Sequence, residues 1–393
     1  MAGSVILTGA RTPVGKLSGA LASFAATDLG GFAIKAALDR AGIAPEQVDY
    51  VFMGQVLQAG AGQITARQAG VNAGIPMSVP ATTVNKVCLS GLNAIYLADL
   101  MVQAGEADIV VAGGMESMTN APYLLPGARA GYRLGDQTVV DSMMYDGLFC
   151  AFDQCAMGAG TEKYAASAGI DRQSQDELAA ASHERAARAA KDGAFDDEIV
   201  HVEVPQRRGD PVVVSVDEGV RADTTVESLS GLRPAFDKAG NITAGNASQI
   251  SDGGAAVIVT SKAKAEELGV TPLGEIVSYG QVAGPDPSLL SQPARAVQQA
   301  AEKAGLAVSD IDLFELNEAF AAVGVQSMAD LGITADVTNV NGGAIAIGHP
   351  VGMSGTRVAL TLLNELKRRG GGTGAAALCG GGGQGDGIIV KTV

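Results

Sequence analysis

Tryptophan is absent from this chain of 393 residues, aromatic residues make up 4% of it, and it holds three histidines and four cysteines. So few aromatics argue against a binding surface built on aromatic anchors. Three histidines scattered at His183, His201 and His349 leave little material for a zinc site, and no metal is expected. Cys88, Cys150, Cys155 and Cys379 form no Cys-x-x-Cys pair and lack the density of a disulfide scaffold, so reduced thiols in a cytoplasmic setting are expected. Basic residues are in deficit as well. The 27 Lys and Arg against 42 Asp and Glu give a formal net charge of −15, the wrong sign for a nucleic-acid partner. No uncharged apolar run reaches the ~18 residues of a membrane span, so no membrane partner is expected. The first residues, Met-Ala-Gly-Ser-Val-Ile-Leu-Thr, read as a buried strand and not as a signal peptide.

What the chain has in quantity is glycine, 53 residues, and apolar side chains, 47%. That is enough for two or three structural units with sizeable cores. Taken in order, residues 4–10 read as a strand, followed by a loop at 9–16. This loop resembles a phosphate-binding loop but has one residue too many between its glycines, and Leu17 where Ser or Thr belongs. An amphipathic helix is expected over 27–41, ended by Gly42, then strands at 48–53 and 82–85, a helix over 89–103 and a buried strand at 109–112. Between residues 116 and 245 the pattern changes to one rich in Met, Tyr, Pro and Gly, which reads as an inserted loop domain. Within it a helix from about residue 175 is signalled by Ser174 with Glu177 three later, a capping box. His183 and the run Asp196, Asp197, Glu198 read as solvated surface. The buried-strand pattern returns at 251–260, and Pro272 marks the entry to a last unit.

That last unit repeats the first. Residues 38–54 align without a gap to residues 301–317, and the correspondence continues through Asn85 and Asn341, then Ser90-Gly91 and Ser354-Gly355, then the strands ending at Gly113 and at Cys379-Gly380. Two copies so far apart mean a duplicated α/β half-domain and not a solenoid. Between Asn341 and Ser354 the second copy is longer than the first, and the extra segment carries His349. The equivalent segment of the first copy carries Cys88. Ligands of α/β sheets bind beyond the carboxyl ends of strands, so the two loops are expected to face each other across a pseudo-twofold axis.

Four segments have the residue types for acyl chemistry. Cys88 precedes a helix, where amides and the helix dipole favour a thiolate nucleophile; taken alone, it reads more readily as a buried structural cysteine. His349 lies among five glycines in residues 341–355, which present it from a loop. Cys379 opens a glycine run. Gly380, Gly382 and Gly385 satisfy Gly-x-Gly-x-x-Gly, but a strand follows where a dinucleotide site requires a helix; the bare amides suit a carbonyl oxygen that becomes negative. Asn317 follows a strand at 313–316, where it is also a good helix N-cap.

Together, residues 85–91 (Asn-Lys-Val-Cys-Leu-Ser-Gly), 317–321 (Asn-Glu-Ala-Phe-Ala), 342–355 and 379–385 (Cys-Gly-Gly-Gly-Gly-Gln-Gly) resemble the four catalytic-loop motifs of the thiolase family, and the resemblance covers essentially the whole chain. It implies a layered αβαβα fold with an N-terminal domain at 1–265, including an inserted loop domain at about 117–246, and a C-terminal domain at 270–393. It also implies a homotetramer, a dimer of dimers. By the same resemblance Cys88 carries the acyl group, His349 activates it, and Cys379 is the acid and base. Asn317, through a held water, and His349 form one oxyanion site; the amides of Cys88 and Gly381 form the other. Coenzyme A and acetyl-CoA enter as substrates, with no covalently bound cofactor. Coenzyme A would meet Leu148, Met157, Arg221, Ser228, Phe236, Ala244, Ser248, Ala319 and Phe320. Many biosynthetic members have His before the Met-Gly of the loop domain, where this chain has Ala156. Met157 resembles the short-chain members, whose bulk at this position limits acyl length; loop packing is its alternative role. The implied reaction is the reversible Claisen condensation of two acetyl-CoA. A broad-range 3-ketoacyl-CoA thiolase and a non-catalytic acyl-CoA-binding protein are the alternatives, the latter expected to have lost one of the four reactive residues. A decarboxylating ketosynthase would place a second His where Cys379 stands.

Overall fold

A computed structural model describes residues 4–393. The first half runs β1 (Ser4–Arg11), α1 (Ala26–Ala41), β2 (Tyr50–Gly54), α2 (Thr65–Asn72), β3 (Ala81–Val84), α3 (Ser90–Gln103) and β4 (Ile109–Ser117), then, after an insertion, β5 (Ser251–Ser261). The insertion contributes α4 (Met157–Ser167), α5 (Arg172–Lys191) and α6 (Val226–Ser230). α7 (Lys262–Leu268) leads to the second half: β6 (Gly274–Ala283), α8 (Gln292–Ala304), β7 (Leu313–Leu316), α9 (Ala321–Leu331), α10 (Ala344–Ile347), α11 (Ser354–Arg368), β8 (Thr373–Gly380) and β9 (Gln384–Lys391).

The strands follow one hydrogen-bonded path, β7-β8-β9-β6-β1-β5-β4-β2-β3. Its two ends mirror each other: β2 lies parallel between β3 and β4, and β7 lies parallel to β8 with an isolated parallel bridge from Phe314 to Thr338 on its other side. The halves join where β1 meets β6, at Val5 opposite Glu275 and Ile6 opposite Gly274. This is the duplication expressed as topology.

Alternation along the strands decides the layers. Val110 and Ala112 of β4, Val257 and Val259 of β5, Ala376 and Leu378 of β8 and Ile388 and Val390 of β9 share one core with Leu92 and Ile95 of α3 and Val358 and Leu362 of α11. The intervening residues face outward. Ile109, Val111, Ala256 and Ile258 pack under α1 and α2, and Ala375, Ala377 and Ile389 pack under α8 and α9. Two half-sheets thus enclose a shared helix layer and carry helices on their outer faces, the αβαβα order expected.

Glycine permits the central contact. A Cβ on Gly91 would stand 2.9 Å from both the Gly352 carbonyl oxygen and the Thr356 nitrogen, and Thr356 Oγ1 donates to the Gly91 carbonyl at 3.1 Å. α3 and α11 therefore meet near their N-termini, backbone against backbone, and the loops that precede them are brought together.

Three expectations are corrected in the insertion. α5 starts at Arg172, and its N-cap is Asp171, whose carboxylate accepts the Ser174 amide; Ser174 lies inside the first turn and is not the cap. His183 is buried, not solvated, and its Nδ1 accepts the Arg221 amide at 3.1 Å. Burial, with the Arg221 charge, pushes its pKa down to about 4. Glu198, also expected at the surface, is fully buried. It accepts from Arg11 Nε at 2.6 Å and from Thr361 at 3.2 Å, while Arg11 also donates to Asp217 at 2.7 and 2.9 Å. A charge run read in one dimension gives no sign of a partner brought from β1.

This cluster fastens the insertion to β1 and α11. Arg11→Met would leave two carboxylates buried without their cation, so a loss of about 3–5 kcal/mol is expected. The check is a lowered thermal or urea midpoint, largely recovered when Glu198 and Asp217 are also replaced by their amides.

Candidate active site

Cys88 stands just before α3 in a loop under strain, since the β-branched Val87 adopts φ 51°. Side chains hold the loop in place. Asn85 Oδ1 accepts the Val87 amide at 3.1 Å, while Ser90 Oγ accepts the Lys86 amide at 2.8 Å and donates to the Val87 carbonyl at 2.6 Å. Lys86 Nζ reaches both oxygens of Asp386 on β9, at 2.7 and 3.0 Å, and Tyr279 donates its hydroxyl to the same buried carboxylate at 3.0 Å. The cysteine loop of the first half is thus clamped to the second half.

The backbone amides of Cys88 and Gly381 are near enough to the Cys88 sulfur to favour its charged form. Cys379, buried at the end of β8, is close enough to Cys88 for its charge to matter. Burial works against the expected thiolate. Desolvation pushes the Cys88 thiol up to about 12, against the two amides and with the Glu116 charge adding to it. Cys379 is pushed up too, by burial and then by Cys88. Desolvation therefore favours the thiol at both positions, more firmly at the buried Cys379 than at the half-buried Cys88.

His349 is buried, and burial, with Arg357 adding, lowers its pKa to about 3. Ser354 donates its hydroxyl to the Pro350 carbonyl at 3.0 Å and so receives the proton of His349 Nδ1 across 2.6 Å. This assigns the neutral Nδ1–H tautomer and leaves the Nε2 lone pair toward Asn317 Nδ2, 3.4 Å away. Asn317 does not cap α9, which begins at Ala321. Its amide donates to the Ala377 carbonyl at 2.9 Å, and its buried Oδ1 has no partner among the described residues. An unpaired buried acceptor of this kind calls for a water or a ligand hydrogen.

Two buried carboxylates hold these loops. Glu318 accepts from Ser182 at 2.7 Å, Asn339 at 2.8 Å and the Ile345 amide at 3.1 Å, which fixes the Asn317 segment to α5 and α10. Glu116 accepts the amides of Val56, Leu57 and Gly352 at 2.9, 3.1 and 3.0 Å, tying the loop after His349 to β4. Burial raises Glu116 to about 7 despite those donors.

Two cavities open here. One of about 230 Å³ is lined by His349, Leu148, Met157, Phe236, Ser248 and Phe320 among others. The other, about 490 Å³, is lined by Asn85, Val87, Cys150, Met157 and Gly381 among others. Met157 borders both. Ala319 is buried in one apolar cluster with Cys379, Met157 and Phe320, and Cys88 packs with Leu148 and Val351. Six of the residues proposed for coenzyme A are therefore together. Arg221, Ser228 and Ala244 are exposed and do not line either cavity, and the Ser228 hydroxyl is engaged with Thr225 in the cap of α6. Among the described residues no group of three or more His, Cys, Asp or Glu is placed to hold a metal ion.

Sequence reading missed Glu116, Lys86, Asp386 and the role of Ser354. Only Ser354 carried a signal, as the duplicate of Ser90. Each serine returns its hydroxyl to a carbonyl of the loop before its helix.

Two family models match almost the whole chain. Residues 4–263 match the thiolase N-terminal domain and residues 270–392 the thiolase C-terminal domain. The chain is 58% identical to a probable acetyl-CoA acetyltransferase of Mycolicibacterium smegmatis over 98% of this chain and 100% of the relative. It is 53% identical to the acetyl-CoA acetyltransferase of Cupriavidus necator over 98% of each. The crystal structure of the Bacillus anthracis acetyl-CoA acetyltransferase superposes with a TM-score of 0.97 at 39% identity, covering 100% of this chain and 99% of that one.

With desolvation favouring the thiol at both positions, iodoacetamide labelling of Cys88 in the free protein is expected to accelerate about tenfold per pH unit between pH 7 and 9. A rate already level at pH 7 would mean a thiolate–imidazolium pair instead.

Proposed function

The chain belongs to the thiolase family, and from that premise we propose that it is an acetyl-CoA C-acetyltransferase, joining two acetyl-CoA into acetoacetyl-CoA and free coenzyme A, reversibly. The observation that carries this reading is that Cys379 lies close enough to Cys88 to feel its charge, while the buried His349, held by Ser354 through Nδ1 and facing Asn317 through Nε2, lines the adjoining apolar cavity.

In the proposed sequence Cys88 attacks the acetyl carbonyl and its proton passes to His349 Nε2. The oxyanion forms against the amides of Cys88 and Gly381, the two backbone donors whose effect already reaches that sulfur. Collapse expels the coenzyme A thiolate, which takes the Cys379 proton. Cys379, now a thiolate, removes an α-proton from the second acetyl-CoA. The enolate oxygen is held by protonated His349 and by a water on Asn317, whose Oδ1 is otherwise unpaired. The enolate carbon attacks the thioester, the C–C bond forms as the C–S bond breaks, and the departing Cys88 sulfur regains its proton from His349. Each group returns to its starting state, so a single turnover needs no outside acid or base.

For substrate binding, Leu148, Met157, Phe236, Ser248, Ala319 and Phe320 form the proposed wall around the acyl and pantetheine part, and the exposed Arg221, Ser228 and Ala244 the contacts at the polar end of coenzyme A. The division at 1–265, with the insertion at about 117–246, and 270–393 is kept, supported by the bounds of the two family models. A homotetramer is proposed because the open edge of β3 and the exposed Leu125, Leu134 and Val139 are surfaces that assembly would cover. A cytoplasmic setting is proposed from the four free thiols. No helix among the described residues is long and apolar enough to cross a membrane.

Mass spectrometry after brief exposure to acetyl-CoA is expected to find one acetyl group on Cys88, absent in Cys88→Ala. Cys379→Ala should still acylate but fail to condense; failure to acylate would assign the two thiols the other way round. Asn317→Ala is expected to lower kcat by about 10²–10³-fold, the loss typical of an oxyanion donor. Thiolysis measured against 3-ketoacyl chain length should fall off beyond the shortest chains and extend in Met157→Ala; flat activity to long chains in the unaltered protein would favour a broad-range 3-ketoacyl-CoA thiolase.

A further inference from the structure

Cys150 and Cys155 play no part in the chemistry above, yet the fold sets them opposite each other. The short strands Phe149–Cys150 and Cys155–Ala156 form an antiparallel hairpin whose register pairs Phe149 with Ala156 and Cys150 with Cys155. Directly opposed residues in such a pair have Cα atoms about 4.5 or about 5.5 Å apart. A disulfide spans Cα separations of about 4.4–6.8 Å, so the backbone is already within range.

The side chains lie on one face. Opposed residues project to the same side of an antiparallel ribbon, and here that side is against α4. The Cys155 sulfur lies 3.5 Å from the point a Cβ on Gly160 would occupy, and an Asp153 carboxylate oxygen lies 3.7 Å from the same point. The Asp153 amide donates to the Cys150 sulfur at 3.4 Å, and the Asp153 carboxylate accepts from Tyr164 at 3.2 Å. Glycine at 160 leaves the space next to the Cys155 sulfur unfilled. Cys150 is 4% exposed, whereas Cys155 is half-buried, so an incoming reagent meets Cys155 first.

We infer that Cys150 and Cys155 are a redox modification site separate from Cys88 and Cys379, which closes to an intramolecular disulfide across the hairpin. The oxidant is a small-molecule disulfide. The Cys155 thiolate attacks one of its sulfurs, forming a mixed disulfide and releasing one small thiol. The Cys150 thiolate then attacks the Cys155 sulfur and expels the second small thiol. Two protein thiols are oxidised by two electrons, and one small disulfide is reduced to two thiols.

The hairpin is a wall of the site. Cys150 and Met157 line the larger cavity, and Leu148 and Met157, on either side of the hairpin, line the smaller one. Closing the bond ties these flanks together. That consequence for acyl-CoA handling rests on the thiolase reading; the bond itself does not.

The test uses the full-length protein with oxidised glutathione, followed by alkylation of remaining thiols and trypsin digestion. Residues 134–163 follow Arg133, end at Lys163 and contain Cys150 and Cys155 as their only cysteines. This fragment is expected to lose two hydrogens, carry no alkyl group, and return to a doubly alkylated form after dithiothreitol. Cys150→Ser should trap a single glutathione adduct on Cys155. The oxidised protein should also melt higher than the reduced protein by on the order of 2–4 °C, a gain that Cys150→Ser abolishes. Two alkyl groups or two glutathione adducts on the fragment, or its cross-linking to a peptide bearing Cys88 or Cys379, would overturn the inference. Because the mass readout requires no turnover, its failure is distinguishable from failure of the proposed activity.

Discussion

The backbone contact between α3 and α11 is the constraint on which the site depends. Each helix closes the central layer with its own aliphatic stripe, Leu92 and Ile95 on one and Val358 and Leu362 on the other. Burial of each such side chain is worth about 1.5–3 kcal/mol, so the layer is held firmly. Because the helices touch at Gly91 and Gly355, the segments immediately before them have nowhere else to be. One segment presents Cys88 and the other His349, and a side chain at either glycine would drive the two loops apart along with the helices.

A second constraint follows from depth. At this position the groups are short of water, and every charge there must be held by named partners. Glu116 and Glu318 are surrounded by amides, hydroxyls and a side-chain amide; Asp386 has Lys86 and Tyr279; Glu315 has Arg357 at 3.1 Å. The same depth favours the protonated thiols and the neutral imidazole. A resting site without net charge on its reactive groups is suited to a reaction that makes and discharges an oxyanion and an enolate in turn, because donors fixed beforehand stabilise charge where it appears.

Much of this was legible in the chain itself. The repeat between residues 38–54 and 301–317 foretold two related half-domains, and the structure repeats it about the β1–β6 join, with β3 answered in the second half by the isolated bridge at Thr338. The four motifs, three of them glycine-bearing, located Cys88, Asn317, His349 and Cys379 because such loops have local signatures: small residues, a strand before and a helix or strand after. Apart from the cap of α5, the misreadings concern burial and distant partners. The helix-dipole argument for Cys88 counted a local effect and had no measure of burial. His183 and Glu198 looked like surface because each sits in a polar stretch, whereas their partners, Arg221 and Arg11, come from other parts of the chain.

Sequence alone determined the duplication, most of the strands and helices of the first half, and which side chains have the chemistry for acyl transfer, since these depend on residue type and on periodicities of a few residues. Tertiary structure decided the protonation of the thiols, the Nδ1–H tautomer that Ser354 imposes on His349, the clamps made by Glu116 and by Lys86 with Asp386, and the placing of Met157 between two cavities. Each of these depends on distance and solvent exposure between groups far apart in the chain. Neither quantity exists until the half-sheets close over the central helices.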